Sequence, residues 1–329
     1  ATWQSDHDAA IEYKRRALDL ARALGDRKEE SRAEGNLGGD LMFTGDLGAA
    51  AERMARSLDI SREMGDPQAE AAELGNLALV ELKRGKHEQA RDRLRAALDI
   101  ERRIEHERSV SFSLVTLAKA HYYCGDLAAA AETAREGVER CSERELTRGE
   151  ISGRLTLARV ARERGDHEDA VSQATAALEA SEDVGATGFE VVAYRLFGGV
   201  ARDRGEYGAA ADHLETAADL VADVDDVLEA GRVGVERARL ARDRGDHATA
   251  RERFAAAADQ LEDAGALADA VDAIRGAADV CEEQGDLGAA VEWCERGRVV
   301  AERAGFEDDR ESFAARRDRL SDRTGGESA

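Results

Sequence analysis

The chain has 329 residues, with 70 acidic and 47 basic side chains, a formal net charge of −23, one proline (Pro67) and 4% aromatic residues. An apolar content of 43% excludes wholesale disorder despite 36% charge, and the dominant Ala, Leu, Glu and Arg favour helix over strand. A field this negative repels phosphate backbones, which argues against nucleic-acid partners, and no apolar run reaches membrane-spanning length.

At the start of the chain, Ser5-Asp6-His7-Asp8-Ala9-Ala10 falls in register with a turn that recurs downstream. Residues 1–25 are therefore predicted to be the second helix of a truncated repeat. Without an initiating Met, the chain reads as a fragment of a longer polypeptide or a trimmed product. The recurring turn is Gly45, Gly85, Gly125, Gly165, Gly205, Gly245 and Gly285, a period of 40 with no insertion or deletion. Five residues after each glycine stands an alanine, from Ala50 to Ala290, and seven before it stands Gly or Ala, from Gly38 to Ala278. A second punctuation, Gly25, Gly65, Gly185, Gly265 and Gly305, keeps the same period and is replaced by Glu105, Glu145 and Asp225 elsewhere.

Two helices per repeat follow. Stretches such as 29–43 and 47–63 carry apolar residues at three- and four-residue steps, among them Leu37, Leu41, Met54 and Leu58. Glycine supplies the left-handed residue that ends one helix, and Asp46, Asp126, Asp166, Asp246 and Asp286 are placed to cap the next. Residues 26–305 thus hold seven 40-residue repeats. Residues 306–323 form a capping helix, with Phe306, Phe313 and Leu320 on one apolar stripe and Arg316, Arg317 and Asp318 facing water. Residues 324–329 read as a disordered tail, and the count is about sixteen helices.

The small residues, the glycine turn, the alanine five later and a further small residue at Ser57, Ala97, Gly137, Ala177, Ala217, Ala257 and Gly297 resemble the tetratricopeptide repeat. The 40-residue length and the run Arg32-Ala33-Glu34-Gly35-Asn36-Leu37-Gly38 are most similar to the long-repeat variety of Pins/LGN-type adaptors. The same variety occurs in sensor regions of large signalling ATPases. This resemblance implies an all-α, right-handed α-α superhelix of antiparallel helices whose first members line a concave groove. It departs from the family where an aromatic or leucine before the small residue becomes Arg237 or Ala277, and where glycine replaces the usual closing proline.

On the family register, groove positions lie 13, 10, 6 and 3 residues before the turn glycine. In repeats one to three they are mainly small or apolar and include Arg32, Leu79, Phe112, Lys119 and Tyr122. In repeats four to six they gather seven arginines: Arg159, Arg162, Arg195, Arg202, Arg232, Arg239 and Arg242. Arginine forms bidentate bonds to carboxylates, so the stripe suits an acidic ligand. Internal pairing with Glu163, Asp203 and Asp243 is the competing reading. Asn36 and Asn76, the only asparagines, share one repeat position. The resemblance implies that they hold a ligand's backbone, and a bond to an adjacent loop is equally open.

Chemistry is scarce. The sequence has no phosphate-binding glycine loop, HExxH or GxSxG. His7, His87, His167 and His247 recur at 80-residue intervals, four helices and roughly 35 Å apart, too far to share a metal. Tyr207 fills the same slot, which marks a packing position. The four cysteines form no CxxC pair and read as reduced thiols of a cytoplasmic protein, with Cys281 and Cys294 on paired helices. An acidic chain with only five lysines resembles proteins of salt-loving archaea, although a GC-rich genome gives a similar bias. The expectation is a protein-binding scaffold without cofactor, metal or catalysis, taking a protein or peptide partner with apolar and acidic segments. The alternative is the sensor arm of a larger signalling ATPase or transcription regulator.

Overall fold

The computed structural model describes residues 2–44, 46–224 and 226–326; Gly45 and Asp225, two of the punctuation positions, lie outside the described residues. Among the described residues there are sixteen α-helices and no strand. They divide into two compact units, one up to Thr156 and the other from Leu157 on.

The first unit contains α1 (Thr2–Leu24), α2 (Arg27–Phe43), α3 (Leu47–Met64), α4 (Pro67–Lys83), α5 (His87–Arg103), α6 (Glu107–Tyr123), α7 (Leu127–Glu143) and the start of α8 (Thr147–Glu163). The second takes the end of α8, then α9 (His167–Asp183), α10 (Thr187–Asp203), α11 (Tyr207–Val224), α12 (Val227–Asp243), α13 (His247–Asp263), α14 (Leu267–Glu283), α15 (Leu287–Ala304) and α16 (Glu307–Gly326). Consecutive helices pack against one another from α1 to α7 and from α9 to α16, and each repeat is an even-numbered helix followed by an odd-numbered one.

Local rules explain the helix ends. Asp46, Asp126, Asp166, Asp246 and Asp286 each accept a hydrogen bond from the backbone N–H three residues on. Pro67 opens α4, where its missing N–H costs nothing. Helix ends turn through a left-handed residue, and where glycine is absent Glu105 and Glu145 are held at φ 56°, a conformation L side chains adopt at a cost. The small residues set the helix spacing: a Cβ added at Gly38 would lie 2.7 Å from Met54 Cγ, and one at Gly198 only 2.5 Å from Leu214 Cγ.

In the first unit the core joins Leu74, Leu77, Leu94, Leu98, Leu114 and Leu117 in two apolar clusters. In the second, one large cluster runs from Val235 to Leu320 and includes Phe254, Ile274 and Phe313. Cys281 and Cys294 are buried there as free thiols. Ala277 belongs to the same cluster. The room released by Gly276 is taken by Phe254, whose ring would stand 2.4 Å from a Cβ there.

The C-terminal helix differs from the expected cap. Phe313 and Leu320 are buried as the apolar stripe requires. Arg316 does not face water, because it reaches Asp279 at 2.6 Å and Glu282 at 2.9 Å, and Arg317 reaches Glu295 at 2.7 Å. The helix also runs on through residues 324–326, and residues 327–329 lie outside the described ones.

One buried acid in the first unit lacks a cation. Glu101 is 4% exposed; one carboxylate oxygen accepts from Ser113 Oγ at 3.0 Å and the other has no partner. Burial pushes its pKa up, with the Ser113 bond offsetting only part of this. A raised folded-state pKa means that stability falls as pH rises from the unfolded value through the folded one. Glu101→Gln keeps an acceptor for Ser113 and removes the charge. Between pH 5 and 8 the variant is expected to gain roughly 1–2 kcal/mol relative to the parent, read from urea midpoints at each pH. An equal midpoint difference at both pH values would contradict a charged, penalised Glu101.

Candidate partner-binding faces

The even-numbered helices carry the expected groove stripe, and the two units present it differently. In the first unit the stripe is largely apolar, with Arg32, Ala72, Leu79 and Phe112 exposed and Leu82 and Val115 buried. Leu79 on α4 is 38% exposed and Phe112 on α6 is 37% exposed. Phe112 is held in place: Arg108 sits over its ring at 5.8 Å, and a Cβ at Gly149 would lie 3.2 Å from its Cε1. Tyr122 is half-buried and meets Tyr123 edge to face at 5.3 Å, while Tyr123 stacks on His87 at 4.8 Å. Lys119 is half-buried on the same helix.

Arg32 is exposed and pairs with Glu29 on its own helix at 2.5 Å. Asn36 and Asn76 are both exposed at equivalent sites on α2 and α4. The Asn76 amide donates weakly to Glu73 Oε2 at 3.5 Å. Glu73 has no basic partner among the described residues, and burial raises its pKa against hydrogen bonds from Ser57 and Asn76. Its carboxylate lies where a Cβ at Gly35 would stand, 2.5 Å from Oε1, so glycine at that position admits a polar group between α2 and α4.

In the second unit the arginine stripe is an ion-pair lattice. Arg162 reaches Asp203 at 2.6 Å and Glu236 at 3.4 Å. Arg202 bonds Asp203 at 2.8 Å and Glu236 at 3.1 Å, with Asp243 at 3.5 Å. Arg239 holds Glu236 at 2.9 Å and Asp272 at 2.5 Å. Arg195 and Arg232 flank Glu229 at 3.1 and 2.7 Å, and Arg232 also grips both oxygens of Asp269, at 3.0 and 2.9 Å. Arg242 contacts Asp279 and Glu283, each at 3.4 Å. Six of the seven stripe arginines are therefore matched by carboxylates, mostly from the following repeat.

Glu229 and Glu236 are the hubs. Burial opposes ionisation of Glu236, but Arg162, Arg239 and Arg202 outweigh it and hold its pKa down to about 2. Burial likewise opposes ionisation of Glu229, and Arg195, Arg232 and Arg159 hold it well below the usual carboxylate range. Arg162 is pushed up despite its burial by Glu236 and Asp203. The column of the repeat that contains Glu236 reads Asn36, Asn76, Thr116, Thr156, Leu196, Glu236, Gly276. A lone acid in an otherwise uncharged column, one step off the arginine stripe, was the sequence signal for this hub.

Arg159 is the exception. It is 8% exposed and makes no ion pair or hydrogen bond among the described residues. Among the described residues no group of three His, Cys, Asp or Glu side chains is placed to hold a metal, and no helix is long and apolar enough to cross a membrane.

No protein-family model matches the chain, and no curated protein matches it either. Solved structures do. The chain is similar to a Rap conjugation gene regulator in complex with the Phr* peptide, at 14% identity and a TM-score of 0.70 over 87% of this chain and 77% of that one. It is similar to a Rap protein complexed with Competence and Sporulation Factor, at 14% identity and a TM-score of 0.61 over 98% and 99% of the two chains. It is also similar to a signal transduction ATPase with a tetratricopeptide repeat sensor from Pyrococcus horikoshii, at 14% identity and a TM-score of 0.57, covering 94% of this chain and 52% of that one. The shared feature is the fold, an all-α array of tetratricopeptide-like helical repeats.

Proposed function

We propose that this chain is a protein-interaction scaffold whose even-numbered helices receive a segment of a protein or peptide partner. The observation that carries this reading is the pair of exposed apolar side chains, Leu79 and Phe112, presented at the groove positions of neighbouring repeats beside Asn76. Large apolar groups at the centre of a contact, ringed by polar ones, supply most of the energy in protein recognition. Two of the similar structures are described with a bound peptide or factor on this fold, which supports binding over catalysis. The finer kinship with Pins/LGN-type adaptors remains part of this proposal, resting on Arg32–Gly38 and the 40-residue step.

We assign the partner's apolar part to the first unit, with Arg32, Asn36, Asn76, Phe112, Lys119 and Tyr122 as contacts. Its acidic part addresses the second unit through Arg159, the stripe arginine that makes no ion pair among the described residues and only shares the field of Glu229. Arg162, Arg195, Arg202, Arg232, Arg239 and Arg242 contribute chiefly by holding the surface in shape, because their charges are matched internally. If the acidic composition reflects a cell interior at molar salt, the Debye length is about 3 Å and apolar contacts dominate affinity.

The test compares capture from the native host at high salt by the parent, Leu79→Glu, Phe112→Glu and Arg159→Glu chains. A partner retained by the parent is expected to be lost, at least about tenfold, with either apolar variant while far-UV circular dichroism and melting stay unchanged. Retention of the same partner by both apolar variants would refute the assignment. A second reading, the sensor region of a larger signalling protein, is favoured by the likeness to a repeat sensor of which this chain spans about half the length. A nucleotide-binding or helix-turn-helix segment encoded in the same reading frame would support it, and an isolated coding unit would remove it.

A further inference from the structure

The position just before the small residue holds Leu37, Leu77, Leu117, Leu157 and Phe197 in the first five repeats, and then Arg237. Beside this replacement the second unit opens a cavity of about 560 Å³. It is lined by Leu214 on α11, Arg237 and Leu240 on α12, Arg253 on α13, and Arg244 at the turn between the last two helices. None of the stripe positions on the partner-binding face contributes to it.

Its three arginines lie together on one cavity wall. Among the described residues Arg237, Arg244 and Arg253 make no ion pair, whereas six stripe arginines in the same unit are matched by carboxylates. The Arg253 guanidinium reaches only the Arg237 carbonyl, at 3.4 Å, and burial together with the Arg237 charge pushes its pKa down. Equivalent arginines elsewhere find an acid: Arg53 bonds Glu34 at 3.0 Å and Arg93 bonds Glu81 at 2.7 Å. In repeat six the positions equivalent to those two glutamates are Gly234 and Ala241, so neither supplies a counter-charge, and Ala241 lines the cavity. Two acids also line the cavity. Asp246 is committed as helix cap, accepting from the Thr249 N–H at 3.1 Å, and Glu215 is exposed.

Asp246 feels the charges of Arg244 and Arg253, but three guanidinium groups against two acids leave positive charge in excess, and a ligand that supplies an anion offsets it. The volume suits a small molecule. We propose that this cavity binds a small anion bearing two or more phosphate or carboxylate groups. The charge sits on Arg237, Arg244 and Arg253, and the ligand's apolar part lies against Leu214 and Leu240.

Isothermal titration of the full chain with tripolyphosphate and with citrate, at low salt, tests this. At least one probe is expected to saturate at one per chain, and which one does so distinguishes a phosphate from a carboxylate ligand. Arg237→Leu restores the residue type of the other repeats, so it should fold with an unchanged or higher melting temperature while binding at least about tenfold more weakly. Arg253→Met provides an independent second variant with the same expected loss. Absence of saturable binding for both probes, or saturation unaltered in both variants, would overturn the proposal.

Discussion

Glu236→Ala is expected to destabilise the second unit by about 3–5 kcal/mol, because it strands three guanidinium groups around an empty site. Arg162, Arg202 and Arg239 all converge on this carboxylate, which is only 4% exposed. An exposed pair such as Arg16–Glu12 provides the contrast: Arg16→Ala should stay within about 0.5 kcal/mol. Urea midpoints of the full chain measure both, and equal small shifts would show that the lattice is ornamental. The pH dependence has a defined sign. The folded pKa of Glu236 lies at about 2, below its ordinary value of 4.5. Its contribution is therefore present above the ordinary value and is lost as pH falls toward about 2. Glu236→Ala should flatten the stability profile in that window and leave the neutral-to-alkaline side parallel to the parent.

Phe254→Ala carries the second large effect, about 3–5 kcal/mol, from lost burial and a cavity that rigid helices cannot close. The ring is 1% exposed and occupies the space that Gly276 leaves open. The reciprocal change, Gly276→Ala, drives a methyl group into that ring and should cost about 1–3 kcal/mol. Because the two positions touch, their effects should not add. Phe254→Leu combined with Gly276→Ala is expected to be more stable than the sum of the single changes allows. Thermal melts of the four chains give the coupling, and strict additivity would mean that the ring and the glycine do not share this space.

The repeat was legible in the sequence because its causes are local and periodic. Glycine turns, aspartate caps and small residues at helix crossings act within a few residues of themselves, and an uninterrupted step of 40 repeats that pattern seven times. The two departures at Arg237 and Ala277 were visible as well, but their consequences were not. Ala277 is buried in the same cluster as Phe254, and Arg237 lines a charged cavity, outcomes that depend on which side chains the neighbouring helix offers.

The arginine stripe was legible as a stripe and not as a lattice. Pairing along each helix was the visible alternative, with Glu163, Asp203 and Asp243 as partners. Asp203 and Asp243 do take part, mainly across repeats: Arg162 uses Asp203, and Arg202 uses Asp243. Glu229 and Glu236, which neutralise most of the stripe, lie off the groove register and face it only once α12 is packed in place. A chain so negative overall therefore does not present an open basic track there, and the proposed function rests on the apolar side chains of the first unit.

Photo-crosslinking tests that conclusion most directly. A benzoyl-phenylalanine placed at Phe112 or Leu79 in the native host is expected to form a discrete adduct with a partner, while the same probe at exposed Arg95 on α5, the second helix of its repeat, forms none. Equal adduct yields from all three positions, or adducts from Arg95 alone, would contradict recognition through the even-numbered helices.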